Sequence, residues 1–205
     1  MSFAVFDLIE LGDGVGPEDL DRIKTKTGCA RVLFGRKQED KRIGVVLTQW
    51  ESADTAWEFS RNKDRFPGDT GDGNESRVFE VQPAMFGEDG GGSVRLEKVL
   101  RAPCVEVFTA FQAQDGFGEN VERFLRAMDV EEDKPKGYHG GVVLLQKGDV
   151  KGGEGKVYRA LLGWDSVEAH SRAKGEEGGV IGREIWLLRE RRGAVDLFHV
   201  EFKEV

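Results

Sequence analysis

The chain has 205 residues, 39% of them hydrophobic and 33% charged, with a formal net charge of −8. That composition belongs to a folded globular protein, and the acidic balance argues against a general binder of nucleic acid or anionic membrane. No apolar run approaches the roughly 20 residues that cross a bilayer.

The N-terminal stretch MSFAVFDLIELGDG has neither a basic region nor a small-residue cleavage site. It reads as a first strand near 3–11 rather than an export signal. The loop GDGVGP that follows resembles a dinucleotide-binding turn, but Pro17 stands where the third glycine belongs. A helix is expected near 17–27, strands near 29–36 and 42–50, a helix near 52–65 and a strand near 76–85. Between the last two lies the polar loop FPGDTGDGNES. Residues 87–103, opening with GEDGGGS, read as a linker. Strands are then expected near 104–113, 138–147, 156–164 and 195–204, with helices near 118–129 and 166–174. An additional segment, VIGREIWLLRERRG, places Ile181, Ile185 and Leu188 at helical spacing. Its Arg189, Arg191 and Arg192 suit the negative end of a helix dipole. Cys29 and Cys104 have no CxxC spacing and no neighbouring His, so they read as packing thiols in a reducing, cytoplasmic setting.

The same order of elements occurs twice. Aligning Trp50 with Trp164 also aligns Glu51 with Asp165 and Ser52 with Ser166. Each half reads β–α–β–β–α–β, the ferredoxin-like unit. The fold class is therefore α+β, with a first repeat over 1–86 and a second over 104–205. Two such copies can pack sheet to sheet. Asp165 or Ser166 can cap the helix that follows, with Glu168 in its first turn, and Trp50 and Trp164 read as apolar plugs.

The strand-ending Trp, the acid, the Ser and a helix beginning VEAH resemble the dimeric α+β barrel superfamily, particularly its antibiotic-biosynthesis-monooxygenase-like (ABM) branch. The resemblance covers nearly the whole chain as two fused copies. It implies a pseudo-dimer within one chain, with further oligomerisation open. It also implies a small, largely apolar aromatic or polyketide-like ligand. Any chemistry would be that of a cofactor-independent oxygenase or a cyclase/dehydratase. A non-catalytic ligand-binding or protein-interaction module is the rival from another class. Haem binding is a third and disfavoured reading: some relatives place an iron-ligating His on the second helix, later along it than His170 stands in this chain.

Alternation along DLFHVEF sets Phe198, Val200 and Phe202 toward the helices, and His199 and Glu201 toward a sheet-lined interior. In the first copy Phe79 and Val81 face the helices, leaving Glu80 and Gln82 inward. Glu80 and His199 then occupy matching positions, as do Ala56 and His170. A His beside carboxylates in an apolar cavity is a usual acid–base pair. His199 is the expected base or acid, oriented by Glu80, Glu201 or Tyr138. Tyr138 and His139 are adjacent on a strand, so only one can enter the cavity. All three histidines lie in the second copy, which marks it as the half that carries titrating groups. No HxH or HExxH spacing suggests a metal and no GxSxG elbow is present, so neither cofactor nor metal is expected.

Overall fold

The period-2 and period-3.6 patterns become strands and helices close to where the sequence places them. The structure, a computed structural model, describes residues 5–11, 16–61, 78–81, 91–146 and 155–205. The expected loop over 66–76, Gln82 and the first residues of the expected linker lie outside them. Two compact units form. Among the described residues, no helix is long and apolar enough to cross a membrane.

The first unit comprises Met1–Val81, Gln146–Gly148 and Val200–Val205. It holds β1 (Val5–Leu11), α1 (Pro17–Lys24), β2 (Cys29–Arg36), β3 (Gly44–Trp50), α2 (Ala53–Ser60) and β4 (Val78–Val81). The strands are antiparallel in the order β4-β1-β3-β2, the arrangement a split βαβ unit requires. Ile9, Val46 and Val78 from the sheet meet Leu20, Ile23, Ala56 and Phe59 from the two helices.

The second unit comprises Gln82–Leu145 and Asp149–His199. Its elements are α3 (Gly91–Leu100), β5 (Cys104–Ala113), α4 (Phe117–Met128), β6 (Tyr138–Gln146), β7 (Lys156–Trp164), α5 (Val167–Gly175), α6 (Val180–Glu184) and β8 (Val195–Val200). The strand order β8-β5-β7-β6 repeats that of the first unit. Gly116, at φ 88°, turns the chain into α4, a conformation that side chains with a Cβ rarely take. The helix buries Phe117, Val121, Phe124, Leu125 and Met128 along one stripe. After α6 the chain tightens into a 3-10 turn, Ile185–Leu188. Arg192 Nε donates to the carbonyl of Leu188 at 2.8 Å, so an arginine of the expected cluster satisfies the end of this segment.

Four expectations need correction. The expected linker carries a helix, α3, which buries Leu96, Val99 and Leu100. It lies on the sheet face opposite α4. There Gly163 admits it, since a Cβ at Gly163 would stand 2.9 Å from the Ala102 Cβ and 3.3 Å from the Val99 Cα. Helices are thus not confined to one face of this sheet. The last expected strand is also broken. Beyond β8 the chain forms β9 (Lys203–Glu204), which pairs with β2 of the first unit, Leu33 opposite Glu204.

The remaining two corrections concern faces. Val78, not Phe79, joins the helix-side core of the first unit, so Glu80 shares that face. In the second unit Leu197 lies among residues of α4 and α6, so His199 also faces the helices. The physical reason is that the face turned away from the helices is buried as well. Phe79 is 0% and Phe198 2% exposed, so hydrophobicity carries no sign of which side holds helices.

Both helix starts use the serine. Ser52 Oγ accepts from the Thr55 N–H and Ser166 Oγ from the Ala169 N–H, each at 3.2 Å. Replacing Ser166 with Ala is expected to cost about 1 kcal/mol, read as a lower denaturant midpoint, with Ser166→Asn recovering most of it.

Candidate functional site

Strand β5 is buried continuously from Cys104 to Ala110, yet it carries a carboxylate, Glu106, which is 6% exposed. A buried acid needs partners. The first is Trp164, at the end of β7 and in register with Cys104, whose indole Nε1–H donates to Glu106 Oε2 at 3.0 Å. The second is His170, one turn into α5 beyond the Ser166 cap. Its ring stacks on Trp164 with centroids 4.9 Å apart, and its Nε2 lies 3.4 Å from Glu106 Oε2. On its other side, His170 Nδ1 is 2.8 Å from His199 Nε2. Glu106, His170 and His199 therefore form a buried line, drawn from a strand, a helix and a second strand of one unit.

Burial pushes the Glu106 carboxyl up to about 7, against the Trp164 hydrogen bond and the Lys174 charge, which both pull it down. Burial first, then His199 and Lys174, push His170 down to about 4. Between these values Glu106 and His170 together hold one proton, best written as belonging to the pair. Keeping both groups neutral avoids burying an ion pair. The line has two proton arrangements. A protonated Glu106 faces a bare His170 Nε2, and His170 Nδ1–H then donates to His199 Nε2. An ionised Glu106 faces His170 Nε2–H, and His170 Nδ1 then accepts from His199 Nε2–H. Loss of the Glu106 proton converts the first to the second, with a change of tautomer at both imidazoles.

Glu106 and His170 line a cavity of about 70 Å³ that is otherwise largely apolar, with Phe124, Leu162, Ile181, Ile185 and Leu188 among its walls. The three apolar residues read as helical in the additional segment all face it. Lys174, exposed and one turn beyond His170, supplies the lining's cation.

The other expected site residues are distributed as follows. Tyr138 is buried against Trp164 with centroids 5.2 Å apart, and burial raises its hydroxyl above the ordinary tyrosine value despite the nearby Arg95. His139 points away from that core and bonds Asp165 through Nε2 at 2.8 Å. Glu80, half-buried on β4, and Glu201, exposed and 3.3 Å from Lys203, belong to the first unit. The second unit thus joins His199 to His170 and Glu106, and the carboxylate beside the histidines is one the sequence reading passed over. Its signal was present, as a lone acid within CVEVFTAF.

No family model and no curated protein matches the sequence. Solved structures do match its fold. One is described as an anthrone oxidase-like protein, with a TM-score of 0.60, 15% identity and coverage of 100% of this chain and 94% of that one. A candidate monooxygenase from Fusobacterium nucleatum subsp. nucleatum has a TM-score of 0.54 and 10% identity, over 99% of this chain and 94% of its own. A candidate chlorite dismutase has a TM-score of 0.56 and 10% identity, over 99% and 96%. Each unit has a ferredoxin-like α+β fold, and at these identities the likeness to the solved structures extends to the fold alone. Haem does not fit the cavity beside His170, because about 70 Å³ is less than the roughly 150 Å³ that admits a single benzene ring.

Proposed function

We propose that the second unit binds a small, largely apolar molecule in this cavity and performs acid–base chemistry on it through Glu106, His170 and His199. The observation that carries this reading is the buried line of titrating groups ending on an apolar cavity. Glu106, which lines the cavity and titrates near 7, takes a C–H or O–H proton from the ligand when ionised. His170, with its two ring nitrogens facing Glu106 and His199, orients the carboxylate and continues the line behind it. The resulting enolate or phenolate, shielded from water, can cyclise, eliminate or meet oxygen without a cofactor. An aromatic or polyketide-like substrate suits this chemistry. Since a ring needs roughly twice the present volume, its entry requires displacement of the wall formed by Val180–Leu188.

The repeated strand order supports reading the chain as a tandem duplication of ABM type. Cys29 and Cys104, both thiols rather than disulfides, suit the cytoplasm.

The test is an NMR titration of the three imidazoles with phenolic and polyketide-like ligands, in the presence of a chelator. His170 and His199 are expected to shift together on ligand addition while His139 stays in place. Histidines indifferent to every ligand would return the protein to a non-catalytic reading.

A further inference from the structure

We infer that Glu106, His170 and His199 also form a binding site for one divalent transition-metal ion at the polar end of the cavity. Each residue offers one donor atom, and the three atoms lie within 4.8 Å of one another. Donors that share a Zn²⁺ ion at roughly 2.0–2.2 Å stand roughly 3–4 Å apart, so modest side-chain rotations close the set. All three residues are buried. They come from β5, α5 and β8, so packing rather than a local turn brings them together. That is why no spacing motif in the sequence announced them.

The chemistry of the set is selective. Two imidazoles and one carboxylate suit Zn²⁺, Fe²⁺ or Co²⁺ and are poor for Ca²⁺ or Mg²⁺, which prefer oxygen. Trp164 Nε1–H on Glu106 Oε2 supplies the outer hydrogen bond that orients a ligating carboxylate. Glu106 and His170 reach the cavity wall, leaving the ion an open position toward it. Lys174 opposes a cation there, but it is exposed and its charge is screened, while an ionised Glu106 offsets it within the site. The first unit has no equivalent. Its matching positions are Asp7, Ala56 and Glu80, with no imidazole among them, so the expected stoichiometry is one ion per chain.

This site shares its residues with the proposed acid–base line but does not depend on that reading. A metal ion takes the lone pairs the protons use, so the loaded site cannot act as a proton acceptor. The experiment is titration of the EDTA-stripped full chain with Zn²⁺ by calorimetry and with Co²⁺ by visible absorption. One ion should bind per chain, with proton release seen as a buffer-dependent enthalpy and with the absorption bands of four- or five-coordinate Co²⁺. Glu106→Gln, His170→Gln and His199→Gln should each weaken binding by more than about 100-fold, and Trp164→Phe by about 10-fold, while His139→Gln leaves it unchanged. Circular dichroism identifies any variant that fails to fold, and Glu106→Gln, nearly isosteric, guards against that outcome for the set. Absence of stoichiometric binding, or binding undiminished in every folded variant of the three, overturns the inference. If metal binding fails while ligands still move the His170 and His199 resonances, this inference alone falls. Metal binding without any ligand response removes the acid–base reading alone.

Discussion

In the metal-free protein, Glu106→Gln and His170→Gln are expected to change stability with pH in opposite directions, while the parent chain stays nearly flat. The folded His170 titrates near 4 and the ordinary imidazole at 6.5. With Glu106 replaced, His170 stays neutral in the folded state but charges in the unfolded chain. Its lowered value makes its contribution fully present above 6.5 and lost as pH falls toward 4, a loss of about 3 kcal/mol. With His170 replaced, Glu106 remains, at about 7 when folded and 4.5 ordinarily. Its raised value makes its contribution fully present below 4.5 and lost as pH rises through 7, again about 3 kcal/mol. In the parent protein the two slopes cancel. Between 4.5 and 6.5 the unfolded chain holds one proton on His170, and the folded pair also holds one. Denaturant midpoints of the three proteins at pH 4.5, 5.5 and 7.0, each variant referred to the parent, measure this. Two variants that track each other with the same sign would show that the groups do not titrate as a buried neutral pair.

Much of the fold was legible because periodicity reports which residues pack against something. β2, β5 and β7 begin and end where their β-rich runs do in the sequence, and Ile181, Ile185 and Leu188 share a wall as their spacing predicts. What periodicity does not report is what a face packs against. Val78 and Phe79 are both 0% exposed, so β4 reads equally well either way round, and β8 inherits the same ambiguity. The bulkier aromatics Phe79 and Phe198 face away from the helices, which places His199 beside His170. α3 was hidden by the glycines at its start, although VRLEKVL after them carries Leu96, Val99 and Leu100 at helical spacing. The departure of β9 to the edge of β2 is a tertiary choice with no local signal. Glu106 is different. An acid flanked by buried residues on both sides must be paired or protonated, and that rule alone points to a site before any partner is known. The copies diverge in the same place. Trp50 and Trp164 keep the same corner, but the chemistry around them differs.

That difference makes Trp164→Phe and Trp50→Phe an informative pair. Both replacements remove the same volume from a buried site, 0% exposed at Trp164 and 2% at Trp50. Both also remove an indole N–H. Trp50 Nε1 donates to Thr48 Oγ1 at 2.9 Å, a neutral hydroxyl that can turn to another acceptor, and its ring packs on Phe59 with centroids 4.8 Å apart. Trp164 Nε1 donates to Glu106, where no rotation removes the need for a donor, and its ring carries the stacked His170. The shared volume loss should cost about 1–2 kcal/mol in each. Losing a hydrogen bond to a neutral group adds about 1 kcal/mol, and losing one to an ionisable acid adds about 2–3 kcal/mol when the acid is charged. Above pH 7, where Glu106 is ionised, Trp164→Phe is therefore expected to destabilise by about 4 kcal/mol and Trp50→Phe by about 2 kcal/mol. Amide exchange in β5 and β7 for the first, and in β1 and β3 for the second, reads each loss within its own unit. The gap should close below pH 7, where the folded acid is neutral and the lost bond is one between neutral groups in both proteins. Since the indole bond pulls the Glu106 carboxyl down, its removal raises that group further and keeps the line protonated to higher pH. Equal costs for the two tryptophans well above pH 7, where Glu106 is ionised, would mean that Trp164 is only a plug and that Glu106 is held by something other than its indole.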